Sequence, residues 1–242
     1  MEKPIIIRRK DIEAISHNSV ETAYWSKGFV VCGIDEAGRG PLAGPIVAAA
    51  VIVPTGCSNT LLKDSKVLSE KARTEAYKWI VEHCQIGVGI EISTSIDTHN
   101  IYQATLRAMR RAFCQLSSTV QIPIGGIIVD AMPLTFTTSA YSAIPIHAFI
   151  EAESRSSSVA AASIAAKVVR DDIMHKLESI LPNYQFGQHK GYGTAKHQAC
   201  IGAHGKSLVH RKSFLVKMEK NKEYHDHLKR QTTIWGNNSE QP

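Results

Sequence analysis

Val30-Val31-Cys32-Gly33-Ile34-Asp35-Glu36-Ala37-Gly38-Arg39-Gly40-Pro41-Leu42-Ala43-Gly44-Pro45 runs from an apolar segment into two adjacent carboxylates and then a turn rich in glycine and proline. The apolar part predicts a strand over Phe29 to Asp35. Successive side chains of a strand point to opposite faces, so Asp35 and Glu36 are not expected to share a site while both stay extended. The glycines and prolines that follow are read as ending the strand and swinging Glu36 round beside Asp35. Two acids side by side repel unless something cationic holds them, and Asp and Glu are seldom buried unpaired. A divalent metal is the simplest partner.

Outward from that stretch, Ile46 to Val53 predicts a second strand next to the first, across a turn of about ten residues, longer than a simple hairpin needs. Ala72, Ala76, Trp79, Ile80 and Cys84 fall at helical spacing behind Ser69, a residue suited to an N-cap. Ile86, Val88, Ile90 and Ile92 alternate as a third strand, and Ile101 to Leu116 carries a long amphipathic stripe with Arg107, Arg110 and Arg111 on a solvated flank. A fourth strand, Ile124 to Val129, closes on Asp130, and a fifth, Ile144 to Ile150, closes on Glu151 and Glu153. The alanine-dense run Ser156 to Ile180 predicts a helix packed closely on the sheet and stopped before Pro182. Asn183 to Thr194 reads as a loop, and Ala195 to His204 and Ser213 to Lys222 as short helices. The expected fold class is α/β, a mixed central sheet flanked by helices with a small helical C-terminal part. Residues 1–28 read as an extension with helical spacing from Asp11 to Trp25, 29–218 as one domain, and 219–242 as a polar tail.

The 242 residues suit one sizeable domain. The net charge of +6 favours a polyanionic partner. Five cysteines at wide, irregular spacing, with no Cys-x-x-Cys, argue against a disulfide framework or structural zinc and fit a reducing cytoplasm. Apolar runs such as Pro45 to Val53 fall short of a membrane span, and no secretory pattern is visible at the start, so no membrane partner is expected.

Open α/β sheets place their sites beyond the carboxyl ends of strands. Asp35, Glu36 and Asp130 stand at such ends and Glu153 follows another. A single acid there is explained by turn chemistry. Four in equivalent places point to hard cations, Mg²⁺ or Mn²⁺, and a pair of such ions about 3.5–4 Å apart suits in-line phosphoryl displacement. Rival motifs fit less well. The glycines of the 38–44 turn have the wrong spacing for a dinucleotide loop, and a β-type run follows them where a helix is required. His189, His197, His204 and His210 are too irregular for a zinc pair and read as surface or supporting residues.

With these residues in view, the sequence resembles ribonuclease HII, the bacterial type 2 ribonuclease H. The stretch Gly33 to Pro45 matches that family's first motif throughout, and Asp64-Ser65-Lys66-Val67-Leu68-Ser69 resembles its Asp-Ser-Lys loop. Ile127 to Asp130 resembles the strand bearing the third acid, and Ala160 to Asp171 the alanine-rich helix. His189-Lys190-Gly191-Tyr192-Gly193-Thr194 and His210-Arg211-Lys212-Ser213-Phe214 complete the series in the same order. The resemblance implies a ribonuclease H-like fold and a monomer that hydrolyses the RNA strand of RNA–DNA hybrids and cuts DNA duplexes containing ribonucleotides. It implies Asp35, Glu36, Asp130 and Glu153 as catalytic metal ligands. Gly38, Arg39, Gly40 and Tyr192 would read the RNA-to-DNA junction through the ribose, and Ser65 and Lys66 would bind a DNA-strand phosphate. Lys190, Lys196, Arg211 and Lys212 are assigned general phosphate attraction. One departure stands out: Glu151-Ala152-Glu153-Ser154 replaces the usual Lys-Gly-Asp-Ser, which makes the fourth acid one methylene longer. That departure motivates one alternative, a non-catalytic hybrid-binding protein. A second, the type 3 relative, normally carries an added N-terminal domain, for which about 28 residues are too few.

Overall fold

Strand alternation and helical stripes sort the apolar residues onto two faces of one sheet. The computed structural model describes residues 5–6 (backbone only), 16–57, 59–62, 67–136 and 140–218. In chain order the elements are β1 (Ile5–Ile6), α1 (Ser19–Trp25), β2 (Val30–Ala37), β3 (Ile46–Ile52), α2 (Glu70–His83) and β4 (Gln85–Glu91). Then come α3 (Ser93–Ser117), β5 (Ile124–Asp130), β6 (Ile146–Phe149), a 3-10 turn (Ala152–Ser154) and α4 (Ser157–Ile180). A second 3-10 turn (Pro182–Tyr184), α5 (Phe186–His189), α6 (Ala195–His204) and α7 (212–218) form the C-terminal part.

The strand order is β1-β6-β5-β2-β3-β4. The β1, β6, β5 and β2 strands are parallel, and β3 and β4 are each antiparallel to the preceding strand. This is the expected mixed sheet with β2 and β3 adjacent, enlarged by the short strand β1. On β2, Val30, Cys32 and Ile34 face a core shared with Met109, Phe113 and Leu116 of α3. Val31 faces the opposite core, with Val159 of α4. The alanines of α4 let it lie almost on the sheet: a Cβ added at Gly33 would stand 2.2 Å from the Ser158 carbonyl carbon. Only glycine fits there.

Several boundaries depart from the sequence expectation. β2 does not stop at Asp35: Asp35, Glu36 and Ala37 continue the ladder, opposite Ala49, Ala48 and Val47 of β3. The glycine turn therefore begins two residues later than expected, because β3 supplies backbone partners up to that point. The helix expected from Ile101 is preceded by a further turn from Ser93, joined at Asn100. Asn100 adopts φ 65°, and its side-chain oxygen accepts from the Gln103 N–H at 3.1 Å, recapping the helix. Ser69 caps α2 as expected, accepting from the Ala72 N–H. Of the expected Asp11 to Trp25 helix, residues 11–15 lie outside the described residues, and the helix seen is Ser19–Trp25. The segment expected as a loop between α4 and α6 contains the short helix α5. Arg107 and Arg111 are not merely solvated: each lies within 3.5 Å of the buried Glu91 carboxylate. Among the described residues no helix is long and apolar enough to cross a membrane.

Candidate active site

The register of the sheet explains why acids meet at its carboxyl end. Ile34 pairs with Val129, so Asp35 and Asp130 are the next residues along two neighbouring parallel strands. By alternation both stand on the face covered by α4. Asp35, not Glu36, is thus the natural neighbour of Asp130. The pairing of β2 with β5 ends at Ile34, which leaves that edge open beside Glu36, and all three acids line one cavity of about 280 Å³. The expectation that Glu36 must leave the strand to join Asp35 is corrected: it stays extended and reaches the cavity from the open edge.

Asp35 is 7% exposed. Burial first, then the charges of Glu36 and Asp130, hold its carboxyl well above the usual carboxylate range, against hydrogen bonds from Ser163 and the Glu36 N–H. The Glu36 N–H donates to Asp35 Oδ1 at 2.7 Å, and the Ala152 N–H donates to Asp130 Oδ1 at 3.1 Å. Glu36 Oε1 lies 3.5 Å from the Arg39 guanidinium. Ser163 and Lys167, one turn apart on α4, also line the cavity, and Lys167 pairs with Asp171 at 2.8 Å.

Gly38, Arg39, Gly40 and Tyr192 line the same cavity. Gly38 has φ 98°, and a Cβ there would stand 2.1 Å from Arg170 Nε, so the turn passes closer to α4 than any side chain allows. Tyr192 is 44% exposed, with the Arg170 guanidinium 5.9 Å from its ring centroid. Glu153 sits buried on the 3-10 turn after β6, next to the residue that holds Asp130, but is not among the cavity-lining residues. Ser65 and Lys66 lie outside the described residues.

No three His, Cys, Asp or Glu side chains among the described residues are already set to hold one metal ion. The donor chemistry nevertheless suits a hard cation: the acids supply only carboxylate oxygens, and the crowding that raises Asp35 is what a divalent ion relieves. The site meets that test through its three lining acids.

Sequence reasoning missed the scaffolding of the site. Arg211, assigned above to phosphate attraction, is fully buried and donates to backbone carbonyls of the 38–45 turn. No solvent-facing phosphate can reach it. Arg170, also fully buried, donates to Pro45, Ala43 and Lys190 carbonyls. His189, His197 and His210, expected at the surface or in support, are buried together: the first two rings stack 4.3 Å apart, His210 lies tilted against His197, and His197 donates to the Tyr192 carbonyl. His204 is the exposed member. Only the His-Arg pair that opens the final motif hinted at these roles.

Comparison with known proteins bears on the same region. The family model described as Ribonuclease HII matches residues 32–219. Ribonuclease HII of Bacillus subtilis (strain 168) is 42% identical over 202 residues, covering 83% of this chain and 75% of that protein. Ribonuclease HII of Geobacillus thermodenitrificans (strain NG80-2) is 46% identical over 186 residues, covering 76% and 68%. Two solved structures share the fold at 22% identity. The PCNA:RNase HII complex from Archaeoglobus fulgidus matches with a TM-score of 0.62, over 76% of this chain and 94% of that one. Bst-RNase HIII in complex with Mn²⁺ matches with a TM-score of 0.61, over 77% and 67%. The sheet is accordingly the α/β sheet of the ribonuclease H-like fold. With a family match across most of its length and relatives above two-fifths identity, this chain belongs to the ribonuclease HII family of ribonuclease H endonucleases.

Proposed function

We propose that the chain is a divalent-metal-dependent endonuclease that cuts the RNA strand of RNA–DNA hybrids and nicks 5′ of a ribonucleotide embedded in duplex DNA, leaving 5′-phosphate and 3′-hydroxyl ends. One observation carries this reading: Asp35, Glu36 and Asp130 line the same cavity as Gly38-Arg39-Gly40 and Tyr192. Phosphate chemistry and sugar contact then share one nucleotide-sized space.

In this reading Asp35, Glu36 and Asp130, backed by Glu153, would hold Mg²⁺ or Mn²⁺. Bound there, a pair of such ions supplies Lewis acidity at the scissile phosphate and at the departing 3′ oxygen. The Ser163 hydroxyl and the Ala152 N–H fix the two central carboxylates. The backbone of Gly38 to Gly40 approaches the ribose, and the half-exposed Tyr192 ring packs on it. Ser65 and Lys66 take a phosphate of the DNA strand, and the exposed Lys196 and Lys212, with Lys190, add salt-sensitive attraction. Action as a monomer is part of this reading. Five free thiols support a reducing cytoplasm. Nothing at the site favours the hybrid-binding alternative.

The test is a duplex of DNA carrying one ribonucleotide, incubated with Mg²⁺ or Mn²⁺ and resolved on a denaturing gel. A nick 5′ of the ribonucleotide is expected. Intact strands with both metals would overturn the proposal.

A further inference from the structure

Arg211 sits 166 residues or more along the chain from the turn it contacts, yet its whole guanidinium is spent there. Nε donates to the Gly44 carbonyl at 3.0 Å and Nη1 to the Arg39 carbonyl at 3.0 Å. Nη2 donates to Gly38 at 2.6 Å, to Gly44 at 2.9 Å and to Pro45 at 3.2 Å. Its own backbone N–H donates to the Leu42 carbonyl, and the Phe214 ring closes the other side, 5.2 Å from the guanidinium carbon. Burial, and then the nearby Arg170 charge, pull Arg211 down to about 9, which leaves it cationic at neutral pH.

The consequence lies on the other side of each peptide plane. No cis peptide occurs among the described residues, and in a trans peptide C=O and N–H point in opposite directions. With the Gly38 and Arg39 carbonyls turned inward to Arg211, the N–H groups of Arg39 and Gly40 point outward. Outward is the cavity, which Gly38, Arg39 and Gly40 line. Neither N–H donates to any described residue. Two adjacent, unspent donors are therefore held at the acids' edge by a side chain that never touches solvent.

We propose that Arg211 is a positioning residue for ribose selection: by fixing the Gly38 and Arg39 carbonyls it presents the Arg39 and Gly40 amides to the 2′-hydroxyl. This rests on the function proposed above, and deepens it by assigning the discrimination between ribose and deoxyribose to a buried cation. Lysine cannot replace the fork, because one ammonium on a flexible stem cannot serve four carbonyls in a fixed plane.

The experiment compares the wild-type protein with R211K and R211M. M109A, in the core on the far face of the sheet, serves as a control for lost stability alone. Affinity is measured without cleavage, in Ca²⁺, for two duplexes that differ only in one ribose or deoxyribose, and nicking kinetics are measured in Mg²⁺. For wild type the ribose duplex should bind more tightly. In both Arg211 variants that ratio should fall about tenfold, the worth of roughly one hydrogen bond, with affinity for the all-DNA duplex unchanged. Methylguanidinium added to a third variant, R211A, whose emptied side-chain space can admit it, should restore part of the ratio, and M109A should keep all of it. An unchanged ratio in a folded Arg211 variant, or an equal loss in M109A, overturns the positioning role. A wild type that neither nicks nor distinguishes the two duplexes overturns the function on which it rests.

Discussion

Acidification should loosen the C-terminal part through its histidines, by an amount that can be worked out. His197 Nδ1 donates to the Tyr192 carbonyl at 2.9 Å, so its Nε2 is an acceptor. His210 Nε2 donates to that nitrogen at 3.1 Å, and His210 Nδ1 accepts from the Ser207 N–H and hydroxyl. His189 Nε2 donates to the Tyr184 carbonyl while Nδ1 accepts from the Gly191 N–H. Every ring is neutral in this arrangement, and a second proton on any of them faces a donor. Burial, and then the neighbouring His197, push His210 down to about 4 from an ordinary 6.5, with Lys206 adding to the shift. His189 and His197 are lowered chiefly by burial; Lys190 and Lys196 press further on His189, and Glu178 opposes them.

The unfolded chain therefore binds the His210 proton first. Stability is whole above pH 6.5 and is lost as pH falls toward 4, by about 3 kcal/mol from His210 alone. Asp35 acts with the opposite sign: its raised carboxyl takes up a proton more readily when folded, so it favours the folded state on acidification. The assay must isolate the histidine. Urea unfolding of wild type and H210Q is compared at pH 7 and pH 4.5, and the difference between the two pH dependences is the His210 contribution. Wild type should lose roughly 2–3 kcal/mol more than the variant over that interval. Equal losses would refute the neutral-stack argument.

D35N should reduce nicking by about 10³-fold, since it removes a charge from the reacting centre. It should also raise stability by about 1 kcal/mol in urea unfolding, because a buried carboxylate crowded by two others is exchanged for a neutral amide; a destabilised D35N would contradict the electrostatic account. G33A should cost about 3 kcal/mol, as its Cβ would meet the α4 backbone at 2.2 Å. A melting temperature within a degree of wild type would mean that α4 can move aside.

Local patterns were legible wherever periodicity or capping decides the structure. The alternation of Ile86, Val88 and Ile90, the Ser69 cap and the alanine-dense α4 all appear where the residues predict them. The strand-end acids were legible for the same reason, as polar residues closing apolar runs. What failed depended on contacts distant in sequence. The end of β2 is set by pairing with β3, not by its own residues, so Glu36 was misplaced. The companion of Asp35 is set by the Ile34–Val129 register, which no local pattern encodes. Arg211 looked like a surface cation because arginine usually is one, and only the fold shows it buried against carbonyls. The buried histidine stack was hidden for the same reason.

The antiparallel bridge between Ala43 and His210 joins the start of the domain to its last described turns. During synthesis at roughly 5–20 residues per second, the sheet can assemble while Arg211 is still inside the ribosome. The glycine turn then has no guanidinium to fold around. A nascent chain would carry its acids at the sheet's edge well before it could tell a ribose from a deoxyribose. Selectivity is thus the last property to mature, and a polypeptide released before residue 211 would lack it even with every acid present.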